Sequence, residues 1–255
     1  LILSLLAACA PALPTTEVAK ATVPPLPSPT PSPTALPVAL PGELAVDPSI
    51  DLGPISPYIF GTNYGPMQAV VQERMPDVEQ AGFTALRFPA GAWSDQMDLI
   101  PFQIDMFMAF CKQVGGALPT ITVRLLNGTP EKAAELVRYT NIEKKYGVVY
   151  WSIGNEPNLF AQQQHIDYDT VTFKKQWRAI ALAMKAVDPS IKLMGPETSQ
   201  WNASLATTPK DAAGRDWMTE FLKANGDLVD IVTVHRYPMY SPTNGPVTVQ
   251  QLRDD

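Results

Sequence analysis

The chain has 255 residues, 45% of them hydrophobic and 17% charged, which is enough to bury one sizeable core. Its net charge of −6 and pI near 5.0 come without a basic stripe, which argues against nucleic acid as a partner, whereas a neutral polysaccharide is indifferent to that charge. Two histidines and two cysteines supply too few ligands for a zinc site, and the sequence calls for no other metal and no cofactor.

Residues 1–9 form the apolar run Leu1-Ile2-Leu3-Ser4-Leu5-Leu6-Ala7-Ala8-Cys9, too short to span a bilayer. It resembles the end of a bacterial lipoprotein signal peptide, with Leu6-Ala7-Ala8-Cys9 as the lipobox. That resemblance implies lipidation at Cys9, contact with a membrane only through this anchor, and an exported, membrane-anchored or cell-surface protein. Neither an initiator Met nor a basic region precedes the run, so the start reads as cut. Residues 10–42 are crowded with prolines, from Pro11 to Pro41, among Ser, Thr and Ala, and show no apolar period. They read as an extended, disordered tether. Cys111, within Phe107-Met108-Ala109-Phe110-Cys111, reads as buried apolar filler.

From 43 to 255 short β-rich runs alternate with longer amphipathic stretches, the pattern of parallel β/α units. Strands are predicted at 58–63, 85–88, 120–125, 148–153, 192–194 and 231–235. Between them, helices are predicted at 68–81, 102–114, 130–145, 171–187 and 210–225. Thr129-Pro130 gives a cap with Pro in the first turn, and Asp188-Pro189 ends the long fourth helix. A (β/α)8 TIM barrel needs about 250 residues. This stretch holds about six units and stops inside a sixth helical pattern at 250–255, so the α/β domain reads as a barrel cut at its C-terminal side.

The strand ends offer Asn63, Arg87, Asn127, Asn155 with Glu156, and His235 with Tyr237, all on the rim where such barrels do chemistry. A carboxylic acid fixed there with an amide beside it is half of what a glycosidase needs to protonate a leaving sugar oxygen. Glu156 lies between an apolar strand and Pro157, a setting that predicts a carboxyl pKa raised by desolvation. Glu197, after Gly195-Pro196, reads as a loop residue or a substrate contact. Trp93, Trp201 and Tyr240 follow strand ends, where they could stack on sugar rings or pack on the rim.

Several stretches together carry a family resemblance: Ile55-Ser56-Pro57-Tyr58-Ile59-Phe60-Gly61, Leu86-Arg87-Phe88-Pro89-Ala90-Gly91, the Tyr150 to Pro157 run, and Val234-His235-Arg236-Tyr237-Pro238. The chain resembles the retaining glycoside hydrolases of clan A, families 51 and 39 in particular. Pro89-Ala90-Gly91 departs from the two glycines usual in family 51, and Asn158-Leu159-Phe160 looks more like family 39. The resemblance implies Glu156 as general acid/base and Asn155 as partner of the substrate's 2-hydroxyl. It also implies that Arg87 orients the nucleophile, and that His235 and Tyr237 support it and line the subsite at the cleavage point. Asn127 and Trp201 are further substrate contacts in this reading. The clan's nucleophile is a second Glu at the end of strand seven, about 5–5.5 Å from the acid/base, and no such strand is present, so the fragment by itself is expected to be inactive. Arabinofuranoside, β-xyloside and β-glycan substrates all stay open, as does a non-catalytic sugar-binding barrel or a surface scaffold.

Other chemistries fit poorly. There is no Gly-x-Ser-x-Gly elbow and no Walker or dinucleotide glycine pattern. Ile166-Asp167-Tyr168-Asp169 is too short for a calcium loop and reads as a solvated approach to the fourth helix. The sequons at Asn127 and Asn202 are incidental behind a bacterial lipobox.

Overall fold

The computed structural model describes residues 49–66, 68–202 and 207–237. Cys9, the tether, Tyr240 and the helical pattern at 250–255 lie outside the described residues. The chain divides between Pro54 and Ile55, and the fold belongs to the second unit.

Six short runs form one sheet, three of them (118–123, 150–153 and 231–235) rich in β-branched or aromatic residues. They are β1 (Gly61–Asn63), β2 (Ala85–Phe88), β3 (Leu118–Val123), β4 (Tyr150–Ile153), β5 (Lys192–Ser199) and β6 (Ile231–His235), and they lie side by side in chain order. Every neighbouring pair is parallel, so each of the five connections crosses back over the sheet, and each does so through a helix. Those helices are α1 (Met75–Gln80), α3 (Pro101–Gln113), α4 (Pro130–Val137), α6 (Thr170–Val187) and α7 (Trp217–Asn225), with short α2 (Trp93–Gln96) and α5 (Phe160–Gln164) above the strand ends. The sheet curls into a half-barrel, consistent with part of a (β/α)8 barrel.

The packing layer lies between strands and helices. Trp151 of β4, Phe107 of α3, Phe173 and Trp177 of α6 and Phe221 of α7 are fully buried, with Trp177 edge-on to Phe221 at 4.9 Å. Gly195 sits under this pair: a Cβ there would stand 3.0 Å from Phe221 Cζ. Cys111 is buried, as expected of filler, and burial pushes its thiol up to about 12. Helix starts follow their sequence signals. Thr129, Asp169 and Asp216 accept the N–H groups of Lys132, Thr172 and Thr219, and Pro101 opens α3 while Gln103 Oε1 accepts from Ile100 N–H. Asp169 is therefore a cap, and it is also paired with Arg215 at 2.7 Å.

Element bounds depart from the predicted ones where side chains take over backbone groups. The first strand begins at Gly61 because Ile59 N–H turns back to Ser56 O. β3 stops at Val123 because Leu125 and Leu126 donate to Asp95. Val148 stays out of β4 because the Asn141 amide takes both its N–H and its carbonyl. The helix predicted at 130–145 passes at Arg138 into a π-helical turn, where Thr140 Oγ1 bonds back to Leu136 O. The helix predicted at 210–225 starts only at Trp217, because Asp211 folds the segment before it onto Ala213 and Arg215. The helix predicted at 68–81 is a 3-10 turn (Gln72–Arg74) followed by α1, with Pro76 in its first turn. β5 runs five residues beyond the predicted Met194, which matters for the site below.

Gly154, directly after β4, has φ 78°, and a Cβ there would lie 2.6 Å from Leu125 Cβ. Gly154→Ala therefore meets both left-handed strain and a clash with a fully buried side chain. Urea unfolding is expected to show a loss of about 2–4 kcal/mol.

Candidate active site

The turn after β4 carries Asn155 and Glu156. Glu156 adopts φ 52° and ψ 53°, a left-handed conformation that costs a non-glycine residue about 1–3 kcal/mol unless its surroundings impose it. The surroundings do so through backbone bonds. Asn155 N–H donates to Asp95 Oδ2 at 2.8 Å, Glu156 N–H donates to the Glu197 carbonyl at 3.0 Å, and Glu156 O accepts from Leu159 N–H at 2.9 Å. Asp95, on α2, also accepts Leu125 and Leu126 N–H through Oδ1, both at 2.9 Å. One buried carboxylate thus ties the ends of β3 and β4 together. Burial raises the Asp95 carboxyl above its ordinary range, against the three backbone N–H groups and Arg124, which pull it down. Nothing in the sequence around Trp93-Ser94-Asp95 singles this residue out.

Glu197 corrects the expectation of a loop residue or substrate contact. It lies inside β5 at an irregularity where Pro196 pairs with Thr233 and Thr198 with Val234, leaving Glu197 as the extra residue, with φ 58°. A bulge of this kind re-aims a side chain. The Glu197 carboxylate is 4% exposed and accepts from Ser152 Oγ at 2.5 Å. Its other oxygen lies 2.7 Å from His235 Nε2 and 3.4 Å from Arg87 Nη2. His235 Nδ1 lies 2.9 Å from Glu156 Oε1, so one imidazole joins the two carboxylates. Arg87 Nη2 also donates to Asn155 Oδ1 at 3.0 Å, which orients that amide. Strands β2, β4, β5 and β6 each supply one part of this cluster.

The electrostatics overturn the expected upward shift of Glu156. Burial does act to raise its carboxyl, but hydrogen bonds from His235 and the Ser199 side chain, with the charges of His235 and Arg87, outweigh it and hold it below the ordinary range. At Glu197 burial is again opposed, by His235, Arg87 and Ser152, and the carboxyl is held at about 2. Burial would lower His235, yet its two carboxylate neighbours raise it to about 9. His235, raised from 6.5, contributes stability that is complete below pH 6.5 and lost as pH rises through about 9. Glu197, lowered from 4.5, contributes stability present above pH 4.5 and lost as pH falls through about 2. The urea midpoint is expected to fall between pH 7 and 9, with a shallower fall in His235→Gln.

The other predicted residues are placed less tightly. Asn127 is exposed at φ 58° and lines, with Gln96, Arg124, Asn155 and Gln163, a cavity of about 250 Å³ on the same rim. Tyr237 is exposed, and its backbone N–H donates to Gln200 Oε1 at 3.4 Å. Asn63 ends β1 in an exposed position, Trp93 opens α2, and Trp201 is half-buried two residues past β5. Among the described residues no group of three or more His, Cys, Asp or Glu is arranged to hold a metal ion.

A family model described as glycoside hydrolase family 44 matches residues 129–239, which cover β4, Glu156, Glu197 and His235. An intracellular exo-α-(1→5)-L-arabinofuranosidase of Streptomyces lividans is 24% identical over 79% of this chain and 37% of its own length. Among solved structures, a family 51 α-L-arabinofuranosidase from Bifidobacterium longum matches with a TM-score of 0.55 at 17% identity, over 71% of this chain and 45% of that one. A family 44 xyloglucanase from Paenibacillus polymyxa matches with a TM-score of 0.53 at 16% identity, over 76% and 54%. The chain is related to the clan A glycosidases. The two solved clan A structures speak for the fold alone. The chain spans a little over a third of the Streptomyces enzyme's length and about half of each solved structure. Arg87 and Asp95 lie ahead of the family 44 match, and both nonetheless bond Asn155, which lies within it.

Proposed function

We propose that the chain carries the acid/base half of a retaining glycoside hydrolase that cleaves O-glycosyl bonds in a neutral oligosaccharide or polysaccharide, of arabinofuranosidase, xylosidase or β-glycanase type. The observation that carries this is the Asn155-Glu156 turn. It is held in a left-handed backbone by Asp95 on one side and the Glu197 carbonyl on the other, with Arg87 and His235 on its two side chains.

Glu156 in this reading gives its proton to the glycosidic oxygen as the bond to the anomeric carbon breaks and a second carboxylate attacks that carbon. The Glu156 carboxylate then takes a proton from the water that releases the sugar. Asn155, oriented by Arg87, meets the hydroxyl next to the anomeric centre. Glu197 is too buried to attack a sugar, so the nucleophile belongs to a strand outside the described six. Lipid at Cys9 and the tether of 10–42 would hold the barrel away from a membrane surface.

A second reading, a sugar-binding barrel without turnover, draws on Glu156 and Glu197 both being engaged by His235. The test is hydrolysis of aryl β-xylosides, β-glucosides and α-L-arabinofuranosides by the longest natural form of the protein without the tether. Turnover of one class supports the enzyme. No turnover with intact fold, together with sugar binding by calorimetry, supports the second reading.

A further inference from the structure

The two contacts of His235 impose a count of protons. A hydrogen bond between a ring nitrogen and a carboxylate needs one proton, and His235 makes two such contacts, at 2.9 Å to Glu156 and 2.7 Å to Glu197. A neutral imidazole between two ionised carboxylates supplies only one. The second proton therefore resides on the ring or on one of the two acids. Glu197 is the poorest host, because its oxygens already accept from Ser152 Oγ and face Arg87. Nε2 is thereby fixed as a donor, and the remaining proton is confined to the line between Nδ1 and Glu156 Oε1.

We propose that Glu197 is a positioning residue: it fixes Nε2 of His235 as a donor and so makes Nδ1 the proton reservoir of Glu156. This rests on Glu156 being the general acid. In the resting site the ring is an imidazolium and Glu156 a carboxylate. To arm the acid, the proton crosses from Nδ1 to Oε1. The N–H bond breaks, the O–H bond forms, and the ring remains as the neutral Nε2–H tautomer bonded to Glu197, with the net charge of the pair unchanged. The charged groups facing the ring are Arg87 from β2, Glu156 from the turn after β4 and Glu197 from β5. Arg87 opposes the ring's charge and the two carboxylates favour it. A residue 41 positions from Glu156 in sequence thus sets where its proton waits.

The protein has only two histidines, His165 and His235, so ¹⁵N-histidine NMR reads this ring directly. Both nitrogens of His235 are expected to be protonated at pH 7 and to titrate near pH 9, leaving a neutral ring with its proton on Nε2. In Glu197→Gln the titration is expected to move down by about one pH unit or more, because a facing charge is gone. A neutral wild-type ring protonated on Nδ1, or an unchanged titration in Glu197→Gln, would overturn the proposal. The tautomer of the unaltered protein decides the matter even where the variant does not fold. None of these readouts needs turnover, so they answer independently of whether the protein hydrolyses any glycoside. Conversely, Glu156 keeps its proposed role if the tautomer is the other one.

Discussion

In the longest natural form of the protein, Glu156→Gln is expected to lower kcat/KM on an unactivated glycoside by about 10²- to 10⁴-fold, the usual contribution of a positioned general acid. The amide keeps the side chain's size and can still accept from His235 Nδ1, so the turn and the fold should survive. The loss is expected to depend on the leaving group. An alkoxide-like leaving group needs the proton as the bond breaks, whereas an acidic phenol departs without it. Dinitrophenyl glycosides should therefore keep far more of their first-step rate than alkyl glycosides do. Pre-steady-state release of the phenol from a matched series checks this, and equal losses across the series would assign Glu156 a binding role.

Asp95→Ala should give the largest loss of stability among single changes at the site. It strips the acceptor from three backbone N–H groups, those of Leu125, Leu126 and Asn155, in a place where Asp95 itself is only 8% exposed. A buried donor left without a partner costs about 1–3 kcal/mol, so the three together cost about 3–9 kcal/mol, a large share of a typical domain's 5–15 kcal/mol. Asp95→Asn keeps one oxygen and turns an NH₂ toward one side, so its loss should be intermediate. Urea unfolding of the two variants against wild type measures the difference. Activity should fall in Asp95→Ala, because the turn loses the bond that Asn155 N–H makes to Asp95, and should fall less in Asp95→Asn, which keeps one acceptor oxygen.

The alternation of strands and helices was legible because β-branched runs and helix caps are local signals, and all six strands are found within a few residues of their predicted places. Asn155-Glu156 and His235 were legible for the same reason: they stand at the ends of apolar strands. What could not be read depends on partners distant in the chain. Asp95 acquires its role only when Leu125 and Asn155 come to it. Glu197 follows Gly195-Pro196, which by itself signals a turn, and only pairing with Thr233 and Val234 shows it to be the extra residue of a strand. Likewise Pro157 and the apolar strand argued for a raised Glu156 carboxyl, and the sign reverses because His235, 79 residues away, comes to 2.9 Å.

The most direct test of Glu156 as the acid/base of a retaining hydrolase is azide rescue of Glu156→Ala on an activated aryl glycoside. Removing the side chain leaves room for a small anion on the face where water would otherwise be activated. The account predicts that azide restores turnover and yields a glycosyl azide with the anomeric configuration of the substrate. No rescue, or a glycosyl azide of inverted configuration, would contradict it.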